Sequence, residues 1–232
     1  MSCTTDRNNS RNHIRRVKVS IINPEEIYNG KTYSLDIDIY INYYKEYVVY
    51  ELPYHTLNWF SDGSHTDSLG YEFFICEEST RKGYLLKNIG DSLLKKIPGD
   101  SIIYSRAYDG GKGDKDMLAG FKINSLIKIA DTPFVTYRYV FDHHFYDSAY
   151  FQYDISLKDV TFSFSRKLDS VQDSKLSKIM LFIKHDKELV PPGIKEDFFI
   201  ARFEMKDATR ADESALRNLF ERFIKKENEN NR

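Results

Sequence analysis

Glu204 and Lys206 lie two residues apart in the stretch Phe198 to Lys206, FFIARFEMK, with Asp186 and Asp197 as carboxylates upstream. Residues two apart on an extended chain point to the same side of a sheet, so the acid and the lysine share a face. Glu204 together with Asp186 or Asp197 would offer hard oxygen ligands to Mg²⁺, and Lys206 would position an attacking water or stabilise charge on a phosphate. Asp36 and Asp38 repeat the i, i+2 spacing in YSLDIDIYIN, where two carboxylates on one strand face would hold a divalent cation. The same pair on an edge strand would serve to block unwanted pairing by its charge.

Other chemistry-bearing residues are less well spaced. Asp142, His143, His144 and Tyr146 sit between two apolar runs, and adjacent histidines on an extended chain point to opposite faces, so His143 and His144 cannot share a metal without a bulge. His185 would complete such a site only if folding brought it near. His55-Thr56 and His65-Thr66 fall ten residues apart in one stretch, and neither has a hydroxyl at the third position for paired phosphoester chemistry. The segment Asp109 to Asp116, DGGKGDKD, lacks the Gly-x-x-x-x-Gly-Lys-Ser/Thr spacing of a phosphate cradle and reads as a hairpin loop.

The Glu204-Met205-Lys206 string, with an aspartate upstream and a helix downstream, resembles the Asp…Glu-x-Lys pattern of restriction-endonuclease-like nucleases over residues 186–206. That resemblance implies Mg²⁺-dependent cleavage of nucleic acid with Asp186 or Asp197, Glu204 and Lys206 as the site. Arg202 falls on the face of Glu204 and Lys206, while Phe199, Ala201, Phe203 and Met205 take the other, as in any half-exposed strand.

The elements that would position these residues are mostly strands. From Pro133 to Ser165 apolar side chains recur at every second position: Val135 to Phe141, then Phe151 to Leu157, then Val160, Phe162 and Phe164. Ile14 to Ile22, Tyr33 to Asn42, Tyr47 to Leu52, Tyr71 to Cys76, Lys178 to Lys184 and Phe198 to Met205 read as further strands. Tyr33, Leu35, Ile37, Ile39 and Ile41 lie on one face, and Asp36, Asp38, Tyr40 and Asn42 on a wet one. Tyr54 to Ser68 reads as a long loop after Pro53. Leu85, Leu86, Ile89, Leu93, Leu94 and Ile97 recur at three- and four-residue steps and suggest a short helix ending at Pro98. Leu216, Leu219, Phe220, Phe223 and Ile224 form one apolar stripe of a C-terminal helix, with Thr209 as its N-cap.

The expected fold is therefore mainly β: an antiparallel β-sandwich, jelly-roll-like or a partly open barrel, with one short internal helix and a C-terminal amphipathic helix. Residues 1–12 read as a mobile polar arm, 13–206 as one β-rich domain, 207–226 as a helix packed on that domain or on a partner, and 227–232 as a disordered tail.

Composition narrows function. Among 232 residues, 30% are charged, yet the formal net charge is -1, which disfavours a purely electrostatic nucleic-acid or membrane binder. Acids dominate Tyr33 to Thr80, where Lys45 is the sole cation, and bases dominate Arg81 to Lys128. Two cysteines, Cys3 and Cys76, fit a reducing compartment, and no run is long and apolar enough for a membrane span or signal peptide, so a soluble cytoplasmic protein is expected. With 17 Tyr and 16 Phe, the strands suit a recognition surface. The sequence favours a noncatalytic module that binds a protein partner or assembles with itself, without cofactor or metal, through Tyr54, Trp59 and Phe60 or through Leu216, Phe220 and Phe223. The Mg²⁺ nuclease is the alternative. A second is a sugar- or nucleotide-binding β-sandwich with Trp59 and its neighbours as stacking platforms.

Overall fold

The computed structural model describes residues 13–22, 26–28, 31–33, 36–61, 64–107, 123–130, 134–142, 146–184, 198–209 and 213–230. In chain order these form β1 (Arg15–Ile22), β2 (Glu26–Tyr28), β3 (Lys31–Tyr33), β4 (Asp36–Tyr44), β5 (Tyr47–Trp59), β6 (His65–Glu77), β7 (Lys82–Leu86), β8 (Ile97–Pro98), α1 (Asp100–Ala107), β9 (Ile123–Ala130), β10 (Val135–Phe141), β11 (Tyr146–Asp154), a 3-10 turn (Ile155–Leu157), α2 (Arg166–Gln172), β12 (Lys175–Lys184), β13 (Phe198–Ala208) and α3 (Ser214–Asn230). The fold is mainly antiparallel β. The chain divides into two compact units, Met1–Lys18 with Ile39–Ala107 and Asp207–Arg232, and Val19–Asp38 with Tyr108–Lys206.

In the first unit the strands run in the order β8-β7-β6-β5-β4-β1. One face of this sheet is covered by α3. Its stripe, Leu216, Leu219, Phe220 and Phe223, is buried against Ile14, Val49, Ile75, Tyr84, Leu86 and Leu93. Phe220 meets the Tyr44 ring at 5.3 Å, and Phe223 meets Tyr47 at 5.2 Å and Tyr84 at 5.8 Å. Each such side chain removed from water contributes about 1.5–3 kcal/mol before ordering entropy is subtracted. The opposite face buries Val17, Ile39, Ile41, Val48, Leu52 and Phe74, and α1 brings Ile103 and Ala107 into the core. Gly83 pairs with Cys76 so closely that a Cβ would fall 1.8 Å from the Ile75 carbonyl oxygen, so only glycine fits there.

Several expectations are corrected in this unit. Residues 85–97 are not helical: β7 runs to Leu86, a turn follows, and the helix begins beyond Pro98. The apolar spacing misleads because Leu86 and Leu93 are buried from a strand and a loop, whereas Leu94 is 84% exposed. The Asn88 N–H donates to Asp91 Oδ2 at 2.9 Å and the Asp91 N–H to the Asn88 carbonyl at 3.0 Å, closing the turn. Arg222 of α3 then donates to the carbonyls of Ile89, Gly90 and Asp91 at 2.5, 3.2 and 2.7 Å. Strand β4 is no edge, since it lies between β5 and β1. Its second face is wet only at the start: Asp36 is exposed, whereas Asn42 is fully buried and donates to Glu51 Oε1 at 2.9 Å. The helix α3 starts at Ser214, so Thr209 does not cap it, and it continues through 227–230.

In the second unit the order is β13-β12-β11-β10-β9, with β2 and β3 forming a separate hairpin. Tyr139 and Phe151 stack at 4.4 Å, and Phe162 and Phe164 meet edge to face at 5.3 Å. The third alternating run, Val160 to Phe164, is largely buried but belongs to no strand among the described residues, and Ile155 is exposed because the chain turns into the 3-10 segment. Ser165 caps α2 by accepting from the Leu168 N–H at 3.3 Å. Asp169 on that helix accepts from Ser163 Oγ and the Leu176 N–H, both at 2.7 Å, and pairs with Lys175 at 2.9 Å. Burial pushes the phenols of Tyr139 and Tyr153 above the ordinary tyrosine range.

Candidate recognition site

Tyrosine, threonine and histidine favour strands, and between Pro53 and Tyr71 they hold one together where Pro53 alone would suggest a loop. The expected loop 54–68 is therefore a β-ribbon. Strand β4 pairs with β5 only as far as Tyr40↔Glu51, and β7 with β6 only as far as Phe73↔Leu86. The β5–β6 pairing continues past both, from Pro53↔Tyr71 to Trp59↔His65. Past those last pairings the two strands continue as a pair for roughly 20 Å, at about 3.4 Å per residue. The tip closes with the Phe60 N–H donating to the Ser64 carbonyl at 2.8 Å.

The ribbon is anchored at its base on both faces. On one face Arg16 pairs with Glu51 at 3.1 Å and lies 3.9 Å above the Tyr40 ring, which in turn meets Tyr71 at 6.1 Å. On the other, Arg106 of α1 pairs with Glu72 at 2.6 Å, joining the basic segment of the chain to the acidic one. Beyond this anchor the side chains face solvent: Tyr54 is 43% exposed, Phe60 52% and Leu69 52%. The Tyr54 ring lies over its cross-strand partner Gly70, where a Cβ would come within 2.5 Å of it, so the glycine gives the ring its seat. From Tyr54 to Leu69 the sequence has no lysine or arginine and two acids, Asp62 and Asp67. Apolar rings set among hydroxyls and amides can bury surface and exchange hydrogen bonds with a partner.

Of the residues named from sequence, Tyr54 and Phe60 come together on this ribbon, and Trp59 ends β5 opposite His65. Leu69 joins them, a residue that local sequence patterning misses because its exposure depends on strand register. Leu216, Phe220 and Phe223 belong instead to the buried core of the first unit, where α3 covers its own sheet and leaves that stripe closed to a partner. Glu204 and Lys206 do share a face of β13, with Lys206 Nζ 3.9 Å from Glu204 Oε2, and Glu204 stands opposite Lys178 of β12. Asp186, Asp197, His143, His144, His185 and the segment Asp109 to Asp116 lie outside the described residues. Asp36 is exposed and Asp38 accepts from Ser20 Oγ at 2.7 Å. Among the described residues, no three His, Cys, Asp or Glu side chains converge.

Two open grooves of about 590 and 600 Å³ run along α3, the first lined by residues including Ile89, Asn218 and Arg222 and the second by residues including Tyr44, Glu221 and Lys225; neither contains a ribbon residue. Beside them, burial and then the neighbouring carboxylates Glu46, Glu77 and Glu227 push the Tyr47 phenol upward. No described helix is long and apolar enough to cross a membrane.

No protein-family model matches this chain, and no curated protein does. Among solved structures, a LolA superfamily protein from Nitrosomonas europaea is similar at 8% identity over 87% of this chain and 87% of that one, with a TM-score of 0.27. At that score the likeness carries no argument about this protein.

Proposed function

We propose that this protein is a noncatalytic antiparallel β module, sandwich-like or partly open in architecture, that works in the cytoplasm by binding a protein partner through the β5–β6 ribbon. The observation that carries the reading is that β5 and β6 stay paired past their last pairings with β4 and β7, with Tyr54, Phe60 and Leu69 exposed. A two-stranded ribbon is marginal in water, and three large apolar side chains kept on it gain nothing for the free fold. They gain when a partner covers them. The absence of lysine and arginine and the presence of Asp62 and Asp67 suit a partner surface that is neutral to basic and offers apolar pockets.

A photo-crosslinking residue at position 60, introduced into the full chain in its native cells, tests this. One adduct of discrete mass is expected, lost when Tyr54→Ser and Leu69→Ser are combined while the melting temperature holds. An aromatic anchor of this kind is worth about 2 kcal/mol or more, roughly thirtyfold in affinity. Crosslinking that ignores the double substitution refutes the assignment. Metal-dependent cleavage of DNA or RNA by the purified protein, abolished in Glu204→Ala, would replace it with the nuclease reading.

A further inference from the structure

From Ser148 to Gln152 strand β11 pairs in unbroken register with β10 and β12, and β12 does the same with β13 from Lys178 onward, so side chains line up in rows across the sheet. Tyr137, Phe151, Ile179 and Phe203 form one row, on the face where Phe203 meets the Phe164 ring at 6.1 Å. The adjacent row points to the other face and consists of Arg138, Tyr150, Met180 and Arg202. Arg202 is exposed and the other three are half-buried. The Arg138 guanidinium lies 5.8 Å from the centre of the Tyr150 ring, and Phe182, diagonal to Tyr150, meets that ring at 5.5 Å. Arg138 Nε is buried without a hydrogen-bond partner, so packing and not an acid holds this side chain in place. Lys178, on the same face, stands opposite Glu204, the one carboxylate in its row or in that of Arg138. Among the described residues, Arg138, Lys178 and Arg202 form no ion pair.

We propose that this face binds single-stranded nucleic acid without sequence preference, stacking bases on Tyr150 and Phe182 and setting phosphates against Arg138, Lys178 and Arg202. Three interstrand steps, about 14 Å, separate Arg138 from Arg202. One anion does not reach both guanidiniums, whereas successive phosphates of a strand laid across the sheet do. The rings between them suit a ligand whose charges alternate with flat aromatic groups, and an acidic peptide offers the charge without the stacking. A duplex keeps its bases inside and cannot use the rings. The net charge of -1 supplies no long-range attraction, so affinity comes from this local set of cations and rings. The strands involved are not those of the β5–β6 ribbon, and the two assignments fail independently.

Fluorescence anisotropy of a labelled oligouridylate or oligothymidylate with the full chain tests the proposal, in EDTA so that no metal-dependent cleavage intervenes. Dissociation constants of about 1–100 μM are expected for both, with a log–log salt slope of about -2 from three neutralised phosphates at about -0.7 each. Tyr150→Leu should weaken binding at least about fivefold, while Tyr150→Phe, which keeps the ring, leaves it unchanged. Arg202→Ala, at an exposed position, should reduce the steepness of the salt slope by about 0.7, with an unchanged circular dichroism spectrum. Tyr54→Ser on the ribbon should have no effect. A duplex and polyglutamate should both bind more weakly than the single strand. No change in anisotropy up to about 100 μM protein, polyglutamate binding as tightly as the oligonucleotide, or an affinity indifferent to both Tyr150→Leu and Arg202→Ala overturns the proposal.

Discussion

Replacing Phe223 by alanine decides whether α3 is an internal element or a free surface. The ring is fully buried and packs edge to face between Tyr47 and Tyr84 at centroid distances of 5.2 and 5.8 Å. Truncating a phenylalanine so enclosed costs the transfer free energy of the ring plus the cavity it leaves, together about 3–5 kcal/mol. The two aromatic contacts place the loss toward the upper end, since each adds about 0.5–1.5 kcal/mol beyond area. For a chain of this length about 2–4 °C accompanies each kcal/mol, so the melting temperature should fall by about 6–20 °C. Urea unfolding followed by far-ultraviolet circular dichroism measures the loss, with Lys225→Ala on the outer side of the helix as a control that stays within about 0.5 kcal/mol. A loss for Phe223→Ala no larger than the control's would refute the packing argument and return the stripe to the surface.

Three further outcomes follow from other contacts. Arg222→Ala removes the donor to three carbonyls of the loop at Ile89 to Asp91; a loss of about 1–3 kcal/mol is expected, with amide exchange accelerating in that loop before it does in β5. Asp169→Ala leaves the buried Lys175 ammonium without its partner and the Leu176 N–H without an acceptor, so a loss of about 3–5 kcal/mol should appear in denaturant melts. Tyr47, Tyr84, Tyr139 and Tyr153 all have phenols raised first by burial. Above about pH 10 the unfolded chain releases those protons while the folded chain keeps them, so stability should fall with rising pH by up to about 1.4 kcal/mol per pH unit per tyrosine, and Tyr153→Phe should flatten that fall.

Alternation placed most of the ladder correctly, because a strand with one covered face writes its burial into every second residue. β10 is read from Val135 to Phe141 in this way, whereas the second run, Phe151 to Leu157, catches only the end of β11, which begins at Tyr146, and the α3 stripe from Leu216 to Phe223 is read by its helical spacing. The failures share a cause: the deciding contact lies far away in sequence. Residues 85–97 carry helical spacing, yet a guanidinium more than a hundred positions later fixes them as a loop. Val160 to Phe164 alternate like a strand in sequence and are largely buried, but among the described residues they belong to no strand. Tyr54 and Phe60 were legible as an aromatic surface, whereas the ribbon that carries them required the register of β5 on β6. The Asp169 cluster draws on Ser163, Lys175 and Leu176 from both sides of a helix.

The order in which the two units are stitched into the chain has a consequence for biosynthesis. The first unit takes its pieces from three separate stretches of the chain, and the lid on its sheet, α3, is made after every strand of that sheet. A ribosome that has extruded the chain through β13 has delivered the strands of both units while Tyr44, Tyr47, Val49, Ile75 and Tyr84 still await cover. That nascent surface is sticky and long-lived by the standard of translation at about 5–20 residues per second. Chaperone capture during synthesis, and inclusion-body formation by chains cut short before residue 214, are the costs written into making the closing helix after the strands it covers.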